Sequence, residues 1–402
     1  MGETNLRLVL AMTFLTAFLG TLAFRISIPA VAFYTRSVLK GTMLELGLLT
    51  TSFFVTRAIS AVITGDLADR GLNLRVLASS CFLIHSGIVL LYQLTSSWLQ
   101  VVALRALQGL LNGFSWVSVQ FLLGASVKRE IRGRAYSIYF AFGSLGAFSG
   151  NLIYSLMTGA PLLKLMALSS LFFLSTALTA FLIKGSEVGG PRKQDGKAAS
   201  KANLGRWADG LLPWISIMVF SSRSFSSLLT GDVIYIYLSE GLGLGPSLAS
   251  FLVGSGSLIG LAASLPVSWI ADKKDDRLAL QIAVGAVAIG AFAFSLKSPT
   301  ASVAGYLMLV MGVVSLTPVV RRLTMTYQRR RGVALGAVNA VGNVGTATSS
   351  LLLGGLLEAM GMSTLTIAGL ELMKAVFLTS IALVLAILAS VVKVRRALGK
   401  LA

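Results

Sequence analysis

The chain has 402 residues, 55% of them hydrophobic and only 12% charged, with a mean hydropathy of +0.83. An average globular protein is about 25% charged, so this chain has too little polar surface for a soluble fold of its length. A surplus of 34 Lys and Arg over 15 Asp and Glu gives a net charge of +19, while one cysteine (Cys81) and one histidine (His85) exclude an internal disulfide and a His/Cys metal set.

A membrane-spanning helix needs about 20 mainly apolar residues. Twelve such runs lie near 7–33, 42–67, 75–95, 98–127, 135–159, 161–184, 211–239, 246–271, 278–296, 299–326, 333–359 and 364–392. Each is too long for a barrel strand and lacks period-two alternation, which predicts an all-α membrane protein with twelve transmembrane helices. The first run follows Arg7 as a secretory signal would. It has no small-x-small cleavage site and continues through Arg25 and Pro29, so it reads as an uncleaved span. Position 6 is Leu6, which removes the N-myristoylation pattern.

Charge between the runs sets the expected topology. The termini and every second loop hold 23 cations, among them Arg70, Arg75, Lys128, Arg129, Lys273 and Arg330. The opposite loops hold four: Arg36, Lys40, Lys164 and Lys297. Positive residues concentrate on the cytoplasmic side, so both termini are expected in the cytoplasm of a multi-pass protein of the plasma membrane. The basic excess is then an orientation signal and implies no nucleic-acid partner.

A polar, Gly- and Lys-rich stretch divides the chain into residues 1–184, a cytoplasmic linker 185–210, and residues 211–402. The two halves match. At an offset of 203, Tyr34 falls on Tyr237, Ala68-Asp69 on Ala271-Asp272 and Gly109 on Gly312. At 199, Arg132-Gly133 falls on Arg331-Gly332, Gly143 on Gly342 and Gly146 on Gly345. A duplicated six-helix unit predicts two pseudo-symmetric bundles of the kind that rock about a midplane site in transporters.

The loop Gly65-Asp66-Leu67-Ala68-Asp69-Arg70-Gly71 resembles the cytoplasmic signature of the major facilitator superfamily. Leu104-Arg105-Ala106-Leu107-Gln108-Gly109 resembles that family's fourth-helix R-x-x-Q-G motif, and Arg132-Gly133-Arg134-Ala135 its next cytoplasmic loop. The resemblance implies a secondary transporter working by alternating access, in which Arg105 takes part in proton coupling. There are departures. The basic tail after Gly71 is thin, and the copy of the loop at Ala271-Asp272-Lys273-Lys274 is degenerate. Asn151 stands where the fifth-helix antiporter element has proline. Within the loop, Asp69 is placed to accept hydrogen bonds from helix-end N–H groups or to pair with a neighbouring Arg. Gly143, Gly146 and Gly150 recur at the spacing that lets helices approach closely.

Ionisable residues inside spans cost about 2.5–3.5 kcal/mol each on insertion scales, so each needs a reason. Arg25 lies 18 residues beyond Arg7, about 27 Å along the first helix. Asp232 in the seventh run is one turn beyond the counterpart of Arg25. The two are expected to pair across the bundles when the outer gate is shut, the competing reading being a static pair or a solvated helix-end Asp. Arg57, about 18 Å before Asp69, is placed either to hold a carboxylate or phosphate through its bidentate fork or to meet a structural partner. Lys374 is expected to pair with Glu371, and Glu45, Glu240 and Glu358 to be solvated near helix ends. His85 reads as a core hydrogen-bonder. Asn112, Gln120, Asn151, Asn339 and Asn343 are candidates for the substrate cavity or for bridges between helices.

No nucleotide-binding loop is present. Expected partners are a small-molecule substrate, protons and the lipid bilayer, with no cofactor, no metal and a monomeric state. The embedded Asp232 and Arg105 point to the proton gradient as energy source, and the partial resemblance of the fifth helix to the antiporters leans the reading toward export of a hydrophobic or cationic compound. An organic-anion carrier using Arg25 and Arg57 is the alternative, favoured by the excess of embedded cations over acids. A non-transporting membrane receptor is the rival from another class.

Overall fold

The computed structural model describes residues 3–127, 132–183, 211–327 and 331–401. Helices α1 (Glu3–Ser37), α2 (Met43–Asp69), α3 (Leu74–Leu91), α4 (Trp98–Ser126), α5 (Arg132–Leu156) and α6 (Leu162–Phe181) make the first half. The second half contains α7 (Leu211–Thr230), the short α8 (Asp232–Ile236), α9 (Gly245–Lys273), α10 (Asp276–Phe294), α11 (Pro299–Tyr327), α12 (Arg331–Met360) and α13 (Lys374–Leu401). All but α8 are long enough to approach or exceed a bilayer core. Among the described residues nine are also apolar enough to cross on composition alone. Helices α4, α5 and α7 fall outside that set because Arg105, Gln108, Asn112, Asn151 and a run of serines dilute them.

Two compact units emerge among the described residues. One holds α1–α6 together with Gly245–Ser257, the first half of α9; the other holds α7, α8, the remainder of α9 and α10–α13. In the first unit α1 packs against α5 and α6, and α4 against α2 and α3. In the second, α7 packs against α12 and α13, and α10 against α11. The linker at 185–210 lies outside the described residues.

Local chemistry explains several boundaries. Thr42 and Glu45 form a capping box that starts α2: the Glu45 N–H donates to Thr42 Oγ1 at 3.2 Å and the Thr42 N–H to Glu45 Oε2 at 2.7 Å. Glu45 is thus a helix-terminal structural residue, satisfying a backbone donor that the helix itself leaves without a partner. Asn73 caps α3 by accepting from the Val76 N–H at 3.2 Å.

Two runs expected to be single helices are not. The seventh is broken: α7 stops at Thr230, Gly231 is extended (φ −76°, ψ 175°), and α8 leads into a π-turn at Tyr237–Gly241. A helix end leaves carbonyls unsatisfied, and the Tyr306 hydroxyl of α11 donates to one of them, Leu229 O, at 2.7 Å.

The twelfth run begins as an antiparallel hairpin. Its strands are β1 (Thr364–Ile367) and β2 (Leu370–Met373), and its turn residues Ala368 and Gly369 both have positive φ, 51° and 80°, as a two-residue I′ turn requires. The hairpin docks on the α10–α11 connection. The Met373 N–H donates to Ser295 O at 2.7 Å and the Lys297 N–H to Glu371 O at 2.9 Å. The expected Lys374–Glu371 pair is replaced by Lys297–Glu371 at 2.7 Å, because strand geometry removes the one-turn spacing that would have joined the former.

Candidate functional site

The interior of the first unit is organised by how closely α4 lies on α2. A Cβ on Gly109 would collide with the Phe53 carbonyl and Thr56 Oγ1, and one on Gly113 would collide with Ser60 Oγ. The hydroxyl of Thr56 donates across this seam to Ala106 O at 2.6 Å. With the seam closed, Arg105 points into the protein and is 1% exposed. Its guanidinium carbon lies 5.9 Å from the ring centres of both Phe24 and Tyr92. Gln108, one turn on, gathers two donors: Tyr92 OH reaches its Oε1 at 2.7 Å and Arg105 Nη1 at 3.4 Å. Asn112, the next turn of the same face, is 5% exposed.

His85 sits in the same packed region, buried, with Nδ1 3.1 Å from Cys81 O and its ring stacked on Phe173 at 4.9 Å. These contacts account for it as a core residue.

Arg57 is about one turn nearer the Asp69 end of α2 than Phe53. It is half-buried, its guanidinium carbon is 5.6 Å from the Phe54 ring centre, and it lies within electrostatic reach of Tyr139 on α5. Among the described residues its side chain makes no hydrogen bond and no ion pair. Gln120 on α4 is half-buried, and its carbonyl accepts from Tyr136 OH at 2.8 Å.

The glycines of α5 do what their spacing predicts at two of three places. A Cβ on Gly146 would strike the Phe18 carbonyl and one on Gly150 the Leu22 carbonyl and Arg25 Cβ, whereas Gly143 has nothing nearer than Thr21 Oγ1 at 3.7 Å. Arg25 is therefore held half-buried on α1 where α5 crosses it. Asn151 is fully buried: its Nδ2 donates to Ala147 O at 2.8 Å, and its Oδ1 and backbone carbonyl accept from Ser250 Oγ at 3.2 and 3.0 Å. It bridges α5 to the first half of α9.

In the second unit Asp232 is 4% exposed in the first turn of α8. A carboxylate there is favoured by the local helix dipole. Asn343 of α12 is half-buried and Asn339 exposed. Of the loop motif, Gly65 is open on its Cβ side, and Asp66 pairs with Arg70 at 2.8 Å with both side chains more than half exposed. The side chain of Asp69 lies outside the described residues. No His/Cys/Asp/Glu cluster able to hold a metal occurs among the described residues.

Sequence reasoning passed over Tyr92, Gln108, Trp116 and Tyr139. Gln108 was legible inside the R-x-x-Q-G motif. The aromatics carry no local signal, since an aromatic in an apolar run looks the same facing lipid or facing an arginine.

Residues 13–350 match the sequence profile of the Major Facilitator Superfamily. The chain belongs to this superfamily. No curated protein sequence matches the chain significantly. Solved structures agree on the fold of this major facilitator. A mutant of the nucleoside transporter NupG superposes with a TM-score of 0.73 at 13% identity, covering 95% of this chain and 99% of that one. A bacterial homolog of the human lysosomal transporter Spinster gives 0.72 at 14% identity, covering 99% and 97%. The chain is a multi-pass membrane transporter of twelve helices in two six-helix bundles, and not an enzyme.

Proposed function

We propose that this transporter moves a small organic anion by alternating access, driven by protons. One observation carries the reading: the charge balance inside the first bundle. Its embedded ionisable residues Arg25, Arg57 and Arg105 are all cations. Over residues 4–183 the acids are Glu45 in the first turn of α2, Asp66 and Asp69 in its last turns, and Glu130 between α4 and α5. None falls at the depth of the arginines. Arg57, half-buried and in no ion pair among the described residues, calls for an opposing charge, and a substrate carboxylate or phosphate supplies it when bound.

The second reading, export of a hydrophobic cation, is favoured by Asp232, an acid buried in the broken seventh helix. A thermal-shift screen of the purified protein separates the two. Its panels are small carboxylates and phosphates, hydrophobic cations and, for the class named in one structural relative, nucleosides. A ligand at 100 times its Kd stabilises by about 2.7 kcal/mol. Stabilisation by anions that disappears in Arg57→Ala is the expected result. Stabilisation by cations instead, lost in Asp232→Asn, overturns the anion assignment.

Proton coupling is tested in liposomes. Asp232→Asn removes the buried acid, and uptake by the variant should lose its dependence on an imposed pH gradient. Unchanged dependence would place coupling elsewhere.

A further inference from the structure

Side chains from three helices of the first unit meet at Tyr139, which neighbours Arg57 of α2 and both Gln120 and Trp116 of α4. Tyr139 of α5 is 3% exposed; its hydroxyl makes no close hydrogen bond among the described residues, with the Gln120 side chain as a polar neighbour and the Arg57 guanidinium within electrostatic reach. One turn before Gln120, Trp116 meets the Tyr139 ring edge-on at 6.3 Å. Trp116 is fixed from behind by Phe82 at 5.4 Å and by Gly20 of α1, whose absent Cβ leaves 3.1 Å to the indole.

We propose that Arg57 and Tyr139, with Gln120 beside them, form the anion-binding site of this transporter, and that its ligand is a monocarboxylate with a flat, apolar body lying against Trp116 and Tyr139. The proposal rests on the anion reading above and adds to it the place and the substrate class. The guanidinium offers two parallel N–H donors in the geometry of a carboxylate, and the Tyr139 O–H is a third donor. A buried hydroxyl without a close partner is costly, and a carboxylate oxygen relieves that cost.

The charge of the site sets the class. A single cation faces Tyr139, which matches a monoanion better than a doubly charged phosphate. A zwitterionic amino acid needs an acid for its ammonium group, and the spans of this half hold none at that depth. The half-buried indole of Trp116, beside the buried phenol, suits an aromatic or conjugated carboxylate better than a sugar acid.

The test uses the full-length protein in detergent with benzoate as probe, benzamide as its uncharged analogue and inorganic phosphate as a second anion, read by calorimetry. Benzoate should bind, with benzamide and phosphate at least tenfold weaker. Tyr139→Phe, which keeps the ring, should weaken benzoate about tenfold, as expected on losing one hydrogen bond to a charged group, with the melting temperature of the unliganded protein no lower than that of the wild type, since the costly hydroxyl is removed. Arg57→Lys keeps the charge, loses the fork, and should weaken benzoate by at least as much. If Arg57→Lys does not fold, Tyr139→Phe decides.

Wild-type affinity for benzoate in both variants would overturn the site while leaving the anion reading standing. Tighter binding of phosphate than benzoate would overturn the monocarboxylate class. Binding of hydrophobic cations and of no anion would overturn both readings together.

Discussion

The first helix of each half occupies the same place in the repeat, yet the two are built differently. Helix α1 runs unbroken from Glu3 to Ser37 although Pro29 sits inside it. At the repeat offset of 203, Ile28-Pro29 falls on Gly231-Asp232, and there α7 stops. Proline deletes one backbone donor but its φ is already helical, so a helix packed on both sides passes through it. Glycine keeps its donor but costs about 1 kcal/mol in a helix relative to alanine, and where a neighbour offers a substitute bond the helix ends. Tyr306 is that neighbour. The residue that looks like the stronger helix breaker is the one the fold tolerates.

The seams differ in the same direction. Where α1 crosses α5, contact is backbone on glycine, at Gly146 and Gly150. Where α7 crosses α12, Gly345 likewise packs on the Phe220 carbonyl, and hydroxyls add bonds across the seam: Ser227 meets Ser349 at 2.9 Å, Ser349 donates to Ser224 O at 2.8 Å, and Thr346 to Arg223 O at 3.0 Å. Backbone packed on glycine tolerates no intrusion, whereas the added hydroxyls of the α7–α12 seam have partners to exchange. That contrast suits a first bundle that holds charge in fixed positions and a second that contains a broken helix.

The largest expected effect tests the glycine contacts. Gly109→Ala puts a methyl group into the Phe53 carbonyl, backbone that cannot swing aside. Overpacking of that kind should cost about 3 kcal/mol and lower the detergent-phase melting temperature accordingly. Gly143→Ala, with only Thr21 Oγ1 at 3.7 Å, should be neutral. Equal melting temperatures for the two would mean that α2 and α4 separate more easily than their contacts indicate.

Next in size is the broken helix. Tyr306→Phe leaves the Leu229 carbonyl without its donor, at about 1–3 kcal/mol for a buried acceptor. Hydrogen exchange around 229–236 should accelerate in the variant while α1 is unaffected. Unchanged exchange would mean that Gly231 alone accounts for the break.

These differences also mark how far the sequence could be read. Twelve spans, the duplication and the α5 glycine contacts follow from hydropathy and spacing, because lipid imposes them on every turn. The capping box at Thr42 and Glu45 was legible too, as T-x-x-E before an apolar run. The break at Gly231 was not: a 20-residue window averages over one extended residue. Nor was the hairpin, whose ten residues continue the hydropathy of the helix after it. The convergence of Arg57, Gln120 and Tyr139 depends on how three helices are rotated about their axes, and a charge inside a span says only that some partner exists.

The smallest expected effect concerns that hairpin and tests what holds it. Glu371 and Lys297 form its ion pair, but their side chains are 51% and 57% exposed. Exposed pairs contribute about 0–1 kcal/mol, because water already solvates both charges and ordering two long side chains costs entropy. The backbone bonds to Ser295 and from Lys297 are independent of that charge, and Leu372 and Met373 are buried beneath them. Glu371→Gln should therefore leave the hairpin docked and shift the melting temperature by no more than a degree or so, with little dependence on salt, since the variant has no exposed pair left to screen. A loss of several degrees, recovered by the paired Lys297→Gln change, would show that the hairpin is held by charge rather than by its ladder and its two buried side chains.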